Sequence, residues 1–390
     1  MTEGYCDPRF ARVRDEFERN LAERDDVGAA IAVTRFGEPL VDLWGGWMDR
    51  NRERRWQRDT LVNVWSLGKA VSATCLLQLV ERGQVELGAP VAQYWPEFGQ
   101  AGKADIPVRQ LLSHQAGLPA IREPLPPGAN LLSWDTMTAA LAAQEPWWEP
   151  GSAFGYHTNT FGFLVGEVIR RVDGRSIGAF VAEEVAQPFE VDFLVGFGPE
   201  EDHRIAEWIP YEPGENEEPQ RPWLETDPAE LDGLDLARVL AYRNPPPLPG
   251  ADVNSRTWRA AEYPSTNPHS NARAMARFFG ALASPGNGSG RTILQQRTIA
   301  LANTIHADGT DLILGRPNRF GLGFQLTIPA VRPLGPGPRA FGHYGNGGIL
   351  GFADPDEGLG FAFVCNRAGR SWRDPRNIAL VDAVYASLEG

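Results

Sequence analysis

Residues 66–82, SLGKAVSATCLLQLVER, read as a helix that is apolar around nearly its whole circumference, ended by Gly83 as a C-cap. Such a helix has no face to turn to water, so other elements must enclose it. A chain of 390 residues can supply that enclosure, as one large unit or as two lobes. The stretch also contains Lys69. Of 37 basic residues only Lys69 and Lys103 are lysine, so arginine otherwise supplies the positive charge. The placement of Lys69 inside an apolar helix therefore needs a chemical reason.

The flanking sequence suggests what does the enclosing. Phe10, Val13, Phe17 and Leu21 give residues 7–24 the three-to-four spacing of an amphipathic helix. Residues 28–37 and 39–48 are β-rich runs, parted by Gly37-Glu38-Pro39 as a hairpin. Helical stretches at 134–144 and 159–174 alternate with Pro/Gly-rich loops. An acidic segment, 200–235, precedes the stiff run Pro245-Pro246-Pro247. The last third reads as a helix over 270–284, strands over 319–328, 340–346 and 359–367, and a closing helix over 377–390. We expect an α/β lobe from 1–85 plus 262–390. It is interrupted by a mainly helical lobe, 86–261, whose acidic Pro-rich part is either a cover or a solvated loop without a role.

Several function classes fall away. A net charge of −13 disfavours nucleic acid and anionic membrane surfaces as partners. No apolar run approaches the length of a spanning helix. The six histidines show no HExxH spacing, and Cys6, Cys75 and Cys365 stand far apart, so no metal is expected and free thiols are. The charged first residues have no apolar leader core, which points to the cytoplasm.

Three elements carry chemistry. Ser66 and Lys69 stand at i and i+3 on one helix face, where hydroxyl and amine can meet. Burial and the helix N-terminus both disfavour the ammonium form, leaving an amine able to take the serine proton. A plainer reading makes Ser66 an N-cap, with Lys69 reaching out to water. Glu149-Pro150-Gly151 leads to Tyr156 just ahead of the next helix; this phenol can exchange protons if a neighbouring amine or cation supports it, and is otherwise a core-edge residue. Phe341-Gly342-His343-Tyr344-Gly345-Asn346-Gly347-Gly348 suits a strand lining a pocket, or a glycine-rich turn.

In this order the elements resemble the serine β-lactamase/penicillin-binding superfamily, and most of all its class C-like carboxylesterases, the family VIII esterases. Asp59-Thr60-Leu61, LLSHQAGL at 111–118, EPGSAFGY at 149–156 and GHYGNGGILGFADPDEGLGF at 342–361 are similar to that family as well. The resemblance implies an antiparallel sheet flanked by N- and C-terminal helices. It implies Ser66 as nucleophile and Lys69 with Tyr156 as the acid–base pair. His343-Tyr344-Gly345 would fill the lysine-threonine-glycine position, and the backbone N–H groups of Ser66 and Asn346 would form the oxyanion hole. Two positions depart from the β-lactamase pattern: Thr158 replaces an asparagine, and His343 a lysine. The expectation is therefore a short-chain ester substrate rather than an antibiotic, bound between the lobes against Trp147, Trp148 and parts of 195–260, with no cofactor. An amidase, D-peptidase or acyltransferase on the same residues, a weak β-lactamase side activity, or a non-catalytic ligand-binding relative is the alternative.

Overall fold

The computed structural model of the protein describes residues 1–214, 217, 221–286 and 291–389. Gly390 of the expected closing helix and residues 215, 216 and 218–220 of the acidic stretch lie outside them. The N-terminal part supplies β1 (Thr2–Cys6), β2 (Gly28–Arg35) and β3 (Glu38–Gly46). A small sheet comprises β4 (Val62–Asn63), β5 (Phe193–Leu194) and β6 (His269–Ser270), in the order β4-β6-β5. The C-terminal part adds β7 (Ala307–Thr310), β8 (Pro317–Phe320), β9 (Gln325–Leu326), β10 (Phe341–Tyr344), β11 (Leu350–Asp354) and β12 (Leu359–Cys365). The main sheet runs β1-β3-β2-β12-β11-β10-β9-β8-β7, and every neighbouring pair is antiparallel.

The two chain ends meet at its centre. β2 and β12 pair through seven residues from Ala29↔Cys365 to Arg35↔Leu359, and the Gly28 N–H donates to Asn366 Oδ1, 338 residues away. Alanines on β2 and Gly360 on β12 let the helix Ala272–Ala283 press close: a Cβ at Gly360 would lie 2.3 Å from the Ala276 carbonyl. Helices Ala11–Glu23 and Pro375–Glu389 pack on each other, and the first also packs against β1–β3. The apolar helix Leu67–Glu81 is enclosed as its composition requires, with every residue from Leu67 to Leu79 buried. Helices Trp134–Ala143 and Thr160–Asp173 lie between the two halves of the sheet in sequence. Among the described residues no helix is long and apolar enough to cross a membrane.

Two local expectations change. The first hairpin turns at Phe36-Gly37, one residue earlier than expected, with φ of 49° and 85°; Glu38 is already paired with Arg35. Two positive φ values are what a two-residue loop between twisted strands requires. The strand expected over 319–328 is broken, because β8 stops at Phe320 and β9 begins at Gln325. Between them the Gly321 N–H donates to the Phe324 carbonyl. Gly323, at φ 83°, drives this loop against the enclosed helix, where an added Cβ would sit 2.0 Å from Ala73 Cβ. Gly323→Ala combines a forbidden φ with that overlap, so it should lower the unfolding free energy by ~2–4 kcal/mol, read as an earlier urea midpoint.

Candidate active site

The nucleophile candidate sits where β4 hands over to the enclosed helix. Trp65 takes φ 53°, an unfavourable value for a bulky side chain, and the chain turns there to present Ser66. Ser66 is the residue before the first helical turn, but its side chain makes no cap hydrogen bond. Lys69 does not reach water either, being fully buried. Its Nζ lies 3.2 Å from Ser66 Oγ and donates to the Ser265 carbonyl at 3.0 Å. The capping and snorkelling alternatives thus fail for physical reasons: both side chains face one another.

Tyr156 completes the group, its hydroxyl donating to Ser66 Oγ at 2.9 Å. Its ring stacks on Phe320 with centroids 6.0 Å apart, and Lys69 Nζ lies 4.8 Å from its centroid. The loop that delivers it is anchored by Asp311, a buried residue that sequence reasoning missed. One carboxylate oxygen of Asp311 accepts from the N–H groups of Tyr156, Ile313 and Leu314, and the other from the Asn318 amide. Beneath lies a buried histidine pair: the His157 N–H donates to His114 Nδ1, and His157 Nε2 accepts from the Leu118 N–H. His157 Nδ1 must then carry the proton it gives to the Gly155 carbonyl at 2.6 Å, and burial holds the ring neutral with a pKa of about 4. Among the described residues no group of three or more His, Cys, Asp or Glu could hold a metal ion.

Burial decides the protonation states. It pushes the Lys69 pKa well below the usual lysine value, and no carboxylate opposes it. Burial also raises the Tyr156 phenol above its ordinary value, against a smaller opposing effect of the Ser66 hydrogen bond. Tyr156 donates to Ser66 Oγ and Lys69 Nζ to the Ser265 carbonyl, and at 3.2 Å from Ser66 Oγ an unprotonated Lys69 amine is within reach of the serine proton.

Ser66 and Tyr156 open into a cleft of about 450 Å³. Thr158, Tyr344, Gly345 and Asn346 line it, as expected for a binding strand and tyrosine loop. The Gly345 N–H is taken by the Ile349 carbonyl, whereas among the described residues no backbone carbonyl takes that of Ser66 or Asn346. His343 is different. It is buried and does not line the cleft, with Nδ1 2.7 Å from the Tyr344 carbonyl and its ring 5.9 Å from that of Tyr156. Trp147 and Trp148 do not line the cleft either. Their indole N–H groups are used by the Ala120 and Ala153 carbonyls, and both rings pack in a side cluster with Ile313. The expected stretch 195–260 does supply Trp208, Arg221 and Tyr242 to the wall, and Trp65, Trp372, Arg316 and Arg370 join them.

A family model described as beta-lactamase matches residues 13–386. The chain is 35% identical over 380 residues to Esterase/beta-lactamase LipL of Mycobacterium tuberculosis, covering 93% of this chain and 82% of that protein. It is 30% identical over 405 residues to Esterase EstB of Burkholderia gladioli, covering 96% and 95%. A crystal structure of a family VIII carboxylesterase matches with a TM-score of 0.89 at 39% identity, covering 99% of this chain and all of that one.

Proposed function

We propose, from the premise that this chain belongs to the beta-lactamase family, that it is a carboxylesterase-type hydrolase working through an acyl-enzyme on Ser66. The observation that carries this reading is one hydroxyl touched by two proton carriers at the cleft: Ser66 Oγ stands 3.2 Å from Lys69 Nζ and 2.9 Å from the Tyr156 hydroxyl. The names of LipL, EstB and the family VIII carboxylesterase agree with an ester substrate.

In this mechanism Ser66 Oγ bonds to the ester carbonyl carbon as its proton passes to Lys69. The carbonyl oxygen becomes an oxyanion held by the N–H groups of Ser66 and Asn346. The C–O bond to the alcohol then breaks, and the alcohol leaves with a proton from the Lys69–Tyr156 pair. Water returns a proton to that pair as it attacks the acyl carbon, releasing the acid and restoring Ser66. Residues 1–85 plus 262–390 supply Ser66 and Asn346, while 86–261 supplies Tyr156 and Trp208, so the proposed lobes enclose the reacting ester from two sides. Thr158 and the buried His343 leave this cleft without the asparagine and lysine of the β-lactamase pattern, which favours esters over β-lactams.

A fluorophosphonate probe tests the nucleophile. The expected result is a single adduct on the peptide containing Ser66 and none on Ser66→Ala. An adduct on another serine would overturn the assignment.

A further inference from the structure

The cleft has a charge pattern opposite to that of the molecule. The chain carries a net −13, yet among the described residues lining the cleft there is no Asp or Glu, and there are three arginines. Arg370 is engaged, its Nε 2.6 Å from Glu217 Oε1. Arg221 and Arg316 are not: among the described residues neither guanidinium makes a hydrogen bond or an ion pair within 4 Å, and each lies over an aromatic ring, with the Asp311 carboxylate acting on Arg316 only from farther away. Arg221 is 4.6 Å from the Tyr242 centroid and Arg316 4.2 Å from that of Trp372.

Arg316 is the more telling of the two because it is half-buried and belongs to the turn that holds Tyr156. It closes the turn that starts at Asp311, whose N–H donates to the Arg316 carbonyl at 3.0 Å. The Asp311 carboxylate holds the Tyr156 N–H, so one turn fixes both the phenol and the guanidinium. Its five N–H donors have no acceptor among the described residues, and desolvation pulls the Arg316 pKa below the usual arginine value against smaller opposing effects of Tyr242 and Asp311. A planar fork of donors facing an aromatic-walled cleft matches a carboxylate, which it can bind through two parallel hydrogen bonds.

We propose that Arg316, with Arg221 assisting, receives a carboxylate carried by the substrate, so that the preferred esters are anionic on the acyl or the alcohol side of the scissile bond. This rests on the esterase reading above and names its substrate class.

The test compares kcat/KM for ester pairs differing only in charge. On the alcohol side the pair is 4-carboxyphenyl butyrate and 4-carbamoylphenyl butyrate. On the acyl side it is the 4-nitrophenyl esters of 4-carboxybenzoate and 4-carbamoylbenzoate. In Arg316→Gln the anionic-to-neutral ratio should fall about tenfold or more in one of the two pairs, mainly through KM, and Arg316→Lys should recover part of it. Arg221→Gln should lower the same ratio by less. Unchanged ratios in both pairs would overturn the proposal while leaving the esterase reading intact. If no ester is turned over and fluorophosphonate leaves Ser66 unlabelled, the esterase reading fails instead. Arg316 is then judged by terephthalate quenching of tryptophan fluorescence: equal affinity in wild type and Arg316→Gln would overturn its role, and a tenfold loss would uphold it.

Discussion

Ser66→Ala should lower kcat/KM for p-nitrophenyl butyrate by about four orders of magnitude. Its urea unfolding midpoint should stay at the wild-type value. The two halves of this expectation come from one observation: Ser66 makes no cap hydrogen bond, and among the described residues its hydroxyl hydrogen-bonds only with Lys69 and Tyr156. Removing it therefore deletes the bond-forming atom without loosening the helix. A variant retaining a tenth of the activity would remove Ser66 from the mechanism. A variant that lost activity and unfolded early would instead show that the hydroxyl holds the fold.

Replacing the lysine should be nearly as damaging to catalysis and should act differently on stability. Lys69→Met keeps the length and the apolar fit but removes the base, and should cost about three to four orders of magnitude in kcat/KM. Burial holds the folded-state pKa well below the lysine value, whereas an unfolded lysine titrates near ~10.4. Between those two values the unfolded chain binds a proton that the folded one does not, so wild-type stability falls as pH is lowered through this window. Lys69→Met has no such term. It should be the more stable protein at neutral pH, with the difference shrinking as pH rises toward the unfolded lysine pKa. The same titration should produce an acid limb in the wild-type ester rate, since a protonated Lys69 cannot accept the serine proton. Lys69→Arg should lose both activity and stability, because its guanidinium stays charged and no carboxylate waits for it. Urea titrations at several pH values, with rates measured in parallel, check all of these signs.

What could be read from the sequence was what local spacing determines. Ser66 and Lys69 meet because i and i+3 share a helix face, and their helix had to be enclosed because it lacks a polar one. Tyr156 could be named as a partner but not positioned, since Asp311, which holds its loop, comes from a distant turn. On β10 the strand period separates neighbours: Tyr344 lines the cleft, and His343 beside it is turned into the interior. Which of the two faces the substrate depends on register, which the motif does not contain. Trp208 falls in the stretch 195–260 expected at the wall, whereas Arg316 and Trp372 come from irregular segments without periodicity, so nothing in their local sequence marks them as the cleft wall. The expected strand over 319–328 failed because tertiary contact at Ala73 sets the conformation of Gly323.

The pairing of β2 with β12 has a consequence for how the protein comes into being. A ribosome makes β2 and the segment bearing Ser66 early, but β12, the strand that pairs with β2, begins only at Leu359. Until then the middle of the sheet has an open edge, and the enclosed helix lacks the β10 side of its surroundings. The nascent chain must therefore carry exposed apolar surface through most of its synthesis, a period in which chaperones have something to hold. The cleft wall bearing Tyr344, Asn346 and Trp372 is made late, so a fragment cut short before it carries Ser66, Lys69 and Tyr156 without that wall.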